Sequence, residues 1–302
     1  MATCGPASAT TPSVSIIIGV YNDWKPLDRC LRSLTEQRFP PSFEVIVVDD
    51  GSEEPAPQSI RDWADHKHLT LIHQSHAGVS TARNRGLEIS KGSIVLFIDA
   101  DTKLQPDCLG ALVAAVTRSP GHGCFQLRLV GDCSGLVGRA EHLRLTTVQE
   151  HMLQPNGSIR YLNTAGFAIL RNRINPGASL FDPVALRGED TLLLVRLMQR
   201  GELPLFVDTA IVQHAVPLSL LQYLRKSIRS AYQEAGTYRI IATMGVKIRV
   251  TNRERFGMLG KMWKISQQAE IGRTAWFVLV VRQALPRFVS LFYRRSPSTK
   301  LV

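Results

Sequence analysis

The 302-residue chain holds few of the features that would mark a secreted scaffold, a zinc module or a membrane span. Its five cysteines (Cys4, Cys30, Cys108, Cys124, Cys133) are few and odd in number, and none sits in a CxxC or Cys/His spacing. That excludes a disulfide framework and leaves reduced, structural thiols of a cytoplasmic protein as the expectation. No stretch approaches the roughly 18 consecutive apolar residues of a membrane-spanning helix. Residues 1–12 have neither a basic stretch nor an apolar run, so they read as a flexible tail without a cleaved signal. No RNP, helix-turn-helix or zinc-finger pattern is present, so nucleic acid is not an expected partner. The 44% hydrophobic content is ordinary, which excludes a wholly disordered or collagen-like chain.

What the chain does have is an uneven charge. The formal balance is +11, yet residues 225–302 hold 16 Lys/Arg against three acids (Glu234, Glu254, Glu270), a balance of +13. Residues 1–224 hold the other 20 Lys/Arg and 22 acids, a balance of −2. A basic C-terminal quarter suits an anionic partner such as a phosphorylated substrate or an acidic membrane face. It also suits a merely solvated surface.

Short β-branched runs recur in the first 130 residues: VSIIIGV (14–20), FEVIVVD (43–49), LTLIH (69–73) and SIVLFID (93–99). Runs this short and this apolar fit strands covered on both faces. Helical segments over about 26–37, 57–67, 78–90 and 106–118 lie between them, with Pro26 and Pro106 in first turns. Alternating strand and helix implies right-handed crossovers and an α/β, Rossmann-like, mostly parallel sheet. Ligands of such sheets bind beyond the strand carboxyl ends, here Gly19–Asp23, Asp49–Ser52, Gln74–Gly78 and Asp99–Thr102.

Residues 119–215 are less regular, with loops expected at 119–123, 131–135, 155–157 and 172–178. TAGFAILR (164–171) reads as a strand, EDTLLLVRLMQRG (189–201) as a helix, and LPLFVDTAIVQH (203–214) as one or two strands. Beyond Pro217, helices are expected over about 218–240, 254–270 and 274–295, the last kinked or split at Pro286. Its apolar side chains are interrupted by Arg282 too early for a span. Segment 274–295 is therefore a candidate for peripheral membrane contact, or equally for packing on the main domain.

Three acidic motifs stand at strand or helix ends. In VVDDGS, Asp49 and Asp50 follow a strand; they suit base or ribose recognition, and equally ordinary turn chemistry. In LFIDADT, Asp99 and Asp101 flank Ala100, a spacing that lets both carboxylates approach a divalent cation shared with phosphate oxygens. In RGEDTLLLVRL, Glu189 and Asp190 open a helix, where acids also serve the helix dipole; one of them is a candidate general base.

Together, GVYND, VVDDGS, AGVSTARNRGLEISKG, LFIDADT and RGEDTLLLVRL resemble, in order and spacing, the inverting family 2 glycosyltransferases of GT-A fold. The resemblance is dense over 13–120, good over 163–215 and thin elsewhere. It implies a glycosyltransferase domain over 13–215, with a nucleotide-binding half at 13–118 and an acceptor half at 119–215. The remainder, 216–302, would be a basic helical extension.

By that resemblance Gly19, Val20 and Tyr21 frame the nucleobase, and Asp50, with Asp49 beside it, is the base-binding carboxylate. Gly78, Arg83 and Asn84 shape the nucleotide side of the cleft, although Arg83 is equally a candidate partner of the Asp49/Asp50 turn. Asp99 and Asp101, with Ala100 between them, and His214 hold Mn²⁺ or Mg²⁺, and Glu189 and Asp190 form the ED pair with Asp190 as the catalytic base. The implied reaction moves a sugar from a nucleotide-diphosphate donor, a UDP-sugar for preference, to the hydroxyl of a glycan or lipid-linked acceptor. The cytoplasmic expectation extends to the cytoplasmic face of a membrane. The other seven histidines carry no role; His66, His68, His73 and His76 straddle a strand and a loop rather than forming a helical metal pair. Two other readings compete. A sugar nucleotidyltransferase would need a glycine-rich phosphate loop, which GVYNDWKP lacks. A non-catalytic basic protein binding membrane or nucleic acid would have no need to keep both acid pairs.

Overall fold

The computed structural model describes residues 13–38, 42–66, 69–185, 187–215, 218–245, 252–268 and 271–293. The four apolar runs become parallel strands β1 (Val14–Val20), β2 (Phe43–Asp49), β3 (Leu69–His73) and β4 (Ile94–Asp99). Crossover helices α1 (Trp24–Thr35), α2 (Gln58–His66) and α3 (Val79–Ile89) join them, within about two residues of expectation. Alternation along β1 explains the core. Ile16, Ile18 and Val20 face the larger apolar cluster under α1, while Ile17 faces a second one with Phe97, Phe167 and Phe181. Gly86 of α3 permits close approach to β1, since a Cβ there would lie 2.5 Å from Ile17 Cγ2.

The less regular stretch holds more strand than expected. Beside the expected β7 (Phe167–Leu170) and β8 (Leu205–His214) it supplies β6 (Cys124–Gly131), and β5 (Thr102–Leu104) pairs with β8. The sheet order is β3-β2-β1-β4-β7-β6-β8-β5, mixed in its second half because β7 runs antiparallel to β4 and β6. Helices α4 (Cys108–Arg118) and α6 (Glu189–Gln199) were expected; α5 (Gly135–Met152) was not. Within 203–214 one strand forms, β8, with a register shift against β6 between Leu127 and Arg128.

C-terminal helices α7 (Leu220–Thr243), α8 (Asn252–Ile265) and α9 (Arg273–Tyr293) follow. Helix α9 continues through Pro286 and is not split there. A proline removes one backbone hydrogen bond, a loss that a 21-residue helix absorbs. Ala275, Val278 and Leu279 of α9 pack with Val137, Ala140 and Leu143 of α5 and Tyr223 of α7. A buried ion pair fastens this junction: Glu141 accepts from Arg144 at 2.5 and 3.0 Å and from Tyr223 Oη at 2.9 Å. Burial opposes the Glu141 charge, but Arg144 outweighs it and holds the carboxyl well below the usual range. Among the described residues no helix is long and apolar enough to cross a membrane. Residues 1–12, Arg294 and Arg295 lie outside the described residues, as do the side chains of Pro286, Arg287, Phe288, Leu291 and Phe292.

Candidate active site

Strand register decides where the acids meet. Gly19 of β1 pairs with Asp99, Val20 with Asp49, and Asp49 with His73, so the carboxyl ends of four strands finish on one line. Across the sheet, Thr102 of β5 pairs with His214 of β8, and Ala215 N donates to the Asp101 carbonyl at 2.9 Å. These pairings carry a histidine more than 100 positions away onto the DADT turn.

Asp99, Asp101 and His214 each offer a ligand atom, and the three atoms lie within 4.8 Å of one another. His214 Nε2 is 3.3 Å from Asp101 Oδ2. Asp101 Oδ1 and His214 Nδ1 are buried and find no hydrogen-bond partner among the described residues. Orphaned buried polar atoms cost about 1–3 kcal/mol each, and a bound cation would relieve that cost. Two carboxylates and an imidazole suit Mn²⁺, or Mg²⁺ with less reliance on the histidine. The donor set therefore fits a divalent cation. Ala100, between the two acids, is buried.

Arg83 on α3 bridges the DADT and ED motifs. Its guanidinium donates to Asp99 Oδ1 at 2.7 Å and to Glu189 Oε1 at 2.8 Å, and it lies 5.5 Å from the Phe181 ring centroid. Burial opposes its charge, but Asp99 and Glu189 outweigh it and raise its pKa. Arg83 is therefore not a partner of the Asp49/Asp50 turn, one of its two expected roles, because both acids it bonds lie elsewhere. The side chain of Asn84, next to it, bonds the backbone of the 180s segment. Its amide donates to the Phe181 carbonyl at 2.8 Å and accepts the Phe181 N–H at 3.0 Å, tying the 180s segment to α3.

Glu189 and Asp190 form the first turn of α6 after Gly188, whose φ of +82° glycine adopts without strain. Thr237 of α7 donates to the Arg187 carbonyl at 2.5 Å, so the C-terminal extension braces this turn directly. Asp190 Oδ1 accepts the Thr191 N–H at 2.6 Å. Burial first, then the neighbouring Glu189 charge, push the Asp190 carboxyl up to about 7. A carboxylate poised there is matched to proton abstraction near neutral pH.

The other acidic pair is arranged differently. Asp49 Oδ1 accepts from Ser52 N at 3.0 Å and Ser52 Oγ at 2.6 Å, and its Oδ2 lies 2.8 Å from His73 Nδ1. Asp50 Oδ1 accepts from Gln74 Nε2 at 2.7 Å and Ala77 N at 2.9 Å, and its Oδ2 accepts from Gly78 N at 2.9 Å. His76 Nδ1 sits 3.0 Å from Asp50 Oδ2 and 3.0 Å from the Asp50 carbonyl oxygen. The Tyr21 ring lies tilted by 31° against the His76 ring, with centroids 4.4 Å apart. His73 and His76 thus belong to the site, although nothing in their spacing indicated it. Gly78, at φ +91°, opens α3 and leaves open space at its Cβ position.

Residues 15–175, more than half of the chain, match glycosyl transferase family 2. Among curated relatives, an uncharacterized glycosyltransferase, YibD, of Escherichia coli is 37% identical over 98 residues, 32% of this chain and 28% of that protein. A validoxylamine A glucosyltransferase of Streptomyces hygroscopicus subsp. limoneus is 29% identical over 163 residues, 53% of this chain and 35% of that one. The chain thus matches only about a third of these relatives' length. Among solved structures, the mannosyltransferase PcManGT of Pyrobaculum calidifontis, in complex with GDP-Man and Mn²⁺, aligns at TM-score 0.57 and 19% identity, covering 97% of this chain and 84% of that one. S. aureus TarS 1-349 in complex with UDP aligns at TM-score 0.53 and 20% identity, over 96% and 94% of the two chains. At these identities the likeness is one of fold, and it agrees with the mixed, mostly parallel sheet found here. On the match over 15–175, the chain belongs to glycosyl transferase family 2.

Proposed function

We propose that the protein transfers a sugar from a nucleotide-diphosphate donor, a UDP-sugar for preference, to an acceptor hydroxyl with inversion at the anomeric carbon. One observation carries this reading. Arg83 joins the Asp99–Asp101–His214 cluster to Glu189, the neighbour of the Asp190 carboxylate, which is pushed to about 7.

Asp190 accepts the acceptor's proton while the acceptor oxygen forms a bond to the anomeric carbon. The bond from that carbon to the diphosphate oxygen breaks on the opposite face, and the nucleoside diphosphate leaves with the electron pair. Asp99, Asp101 and His214 would hold Mn²⁺ or Mg²⁺, which when bound neutralises charge on the departing diphosphate. Arg83 keeps Asp99 and Glu189 in place and sets the electrostatic environment that Asp190 shares.

The acceptor is a glycan or a lipid-linked sugar. Peripheral membrane contact through 274–295 fits the outer side of α9, where Phe277 and Val281 are exposed, Trp276 lies edge-on between Phe277 and the exposed Trp263, and Arg273 sits over the Trp263 ring. Exposed aromatics next to cations suit a lipid interface. The test of the main reading is nucleotide release from UDP-, GDP- and TDP-sugars with Mn²⁺ and a panel of saccharide and lipid-linked acceptors. Release from at least one donor, lost in Asp190→Asn, is the expected result. No release from any donor by the folded protein would refute it.

A further inference from the structure

Resting on the metal-assisted reading above, we propose that Glu141 of α5 is a positioning residue for His214, holding its imidazole in the tautomer that offers the Nε2 lone pair to a divalent cation.

Packing makes the two residues neighbours. His214 ends β8 opposite Gly131 of β6. At Gly131 a Cβ would lie 2.5 Å from the His142 backbone nitrogen and 2.7 Å from the Gly138 carbonyl oxygen. Only glycine lets α5 come this close to the strand end. Glu141 precedes His142 on that helix and is buried. The two charges act on one another: burial aside, Glu141 ranks behind only Asp101 at the His214 ring.

Bonding capacity is left over on both sides. Nε2 of His214 lies 3.3 Å from Asp101 Oδ2, on the side of the ligand acids. A neutral ring that gives up its Nε2 lone pair there carries its proton on Nδ1. Nδ1 is buried and finds no hydrogen-bond partner among the described residues. Glu141 Oε2 accepts from Arg144 Nε and Tyr223 Oη, whereas Oε1 accepts from Arg144 Nη2 alone. A carboxylate has about four acceptor sites, so Oε1 keeps one. A buried donor without an acceptor thus stands near a buried carboxylate with an acceptor site to spare. Carboxylates in this outer position fix the orientation of a ligating histidine and raise its basicity.

The same carboxylate ties His214 to the C-terminal helices. Tyr223 on α7 donates to it, and Arg282 on α9 lies over the Tyr223 ring, 5.4 Å from its centroid. The arginine that interrupts the apolar face of α9 therefore supports the Glu141 charge behind the metal ligands. A carboxylate that only fastened α5 to α7 would have no effect on the cation.

Calorimetric titration of Mn²⁺ alone into the full chain separates the two roles. The cycle comprises wild type, Glu141→Gln, His214→Ala and the double variant, with Tyr223→Phe as control and a thermal melt of each. Glutamine keeps an acceptor for Tyr223 and removes the charge. Glu141→Gln is expected to weaken Mn²⁺ binding about tenfold, as loss of an outer partner does, and to add nothing once His214 is alanine. Tyr223→Phe loosens the junction but leaves the charge, and is expected to hold Mn²⁺ affinity within about twofold. Glu141→Asp keeps a charge for Arg144 on a shorter stem and is expected to fall between wild type and glutamine. It carries the test if the glutamine variant does not fold, and unchanged affinity in it would then overturn the assignment. Wild-type affinity in Glu141→Gln, an equal loss in Tyr223→Phe, or losses that add in the double variant would each overturn it too. A wild type that binds no Mn²⁺ also overturns it, while nucleotide release from a donor without metal would leave the glycosyltransferase reading intact. No release from any donor, with the Mn²⁺ pattern as expected, would refute that reading and leave Glu141 as the partner of a metal ligand.

Discussion

Two pairs of aspartates sit at the ends of β2 and β4, the strands on either side of β1, alike in sequence yet opposite in arrangement. Asp49 and Asp50 are ringed by donors from Ser52, His73, Gln74, Ala77 and Gly78. Asp99 and Asp101 meet one arginine and one histidine, and Asp101 keeps a buried oxygen without a partner. The donors of the first pair brace its own loop; the second pair, with His214, leaves donor atoms that a divalent cation would fit. In sequence both are an acid pair after an apolar strand, and only the donors around them separate a structural carboxylate from a ligand.

If this contrast holds, the two pairs respond in opposite order to the same substitution. Asp101→Ala is expected to abolish transfer, a loss on the order of 10³-fold or more, because a bound cation supplies several kcal/mol in such sites. Its melting temperature should change less than that of Asp50→Ala. Asp50→Ala strands the donors of Gln74, Ala77 and Gly78 and is expected to cost about 1–3 kcal/mol of stability and to weaken donor binding first. Steady-state kinetics with thermal melts of both variants checks the pair. Equal losses of stability and activity in the two would break the comparison.

Asp190 sharpens it from the catalytic side. Asp190→Asn is expected to lower turnover by roughly 10²-fold or more with donor affinity kept. Wild-type turnover should rise with pH and level off above about 7, where the carboxylate is deprotonated, and the variant should lose that limb. Stability runs the other way. The folded-state pKa is raised, so the protonated form is favoured in the fold, and the associated stability is present at acid pH and lost as pH climbs through about 7. Asp190→Asn should therefore raise the melting temperature at pH 8 and hardly change it at pH 4. A flat pH–rate profile with an unchanged melt at pH 8 would remove Asp190 as the base.

The smallest expected effect concerns the outer side of α9. Full-length protein is expected to float with anionic vesicles at low salt, and Phe277→Ser with Val281→Ser to float less, with the melt unchanged. Equal flotation of both would leave α9 as packing alone.

Much of this was legible in the sequence, and the failures have a physical cause. The strands β1 to β4 are short apolar runs buried on both faces, a pattern that survives without an alignment. Helix α5 was missed because it is clasped between the sheet and helices α7 to α9. Its polar Glu141, Thr147 and Gln149 are buried, so no clean apolar stripe forms. Strand β6 was missed because Gln126 and Arg128 interrupt its apolar character. Gln126 is fully buried, its amide donating to the Leu127 and Gly166 carbonyls and accepting Asn163 N–H. The acid motifs were legible as a set, His214 only through family resemblance, and His76 not at all, since its partner Asp50 lies on another strand end. Arg83 was legible as a site residue but not in its bonds, because strand order alone sets which acids it reaches.

The most direct test is a titration of Mn²⁺ into the protein with and without UDP, read by calorimetry, for wild type and for His214→Ala and Asp101→Ala. The prediction is that Mn²⁺ and UDP bind cooperatively to wild type, that both variants lose that cooperativity, and that sugar transfer by wild type ceases in excess EDTA. Mn²⁺-independent UDP binding together with full transfer in EDTA would contradict it.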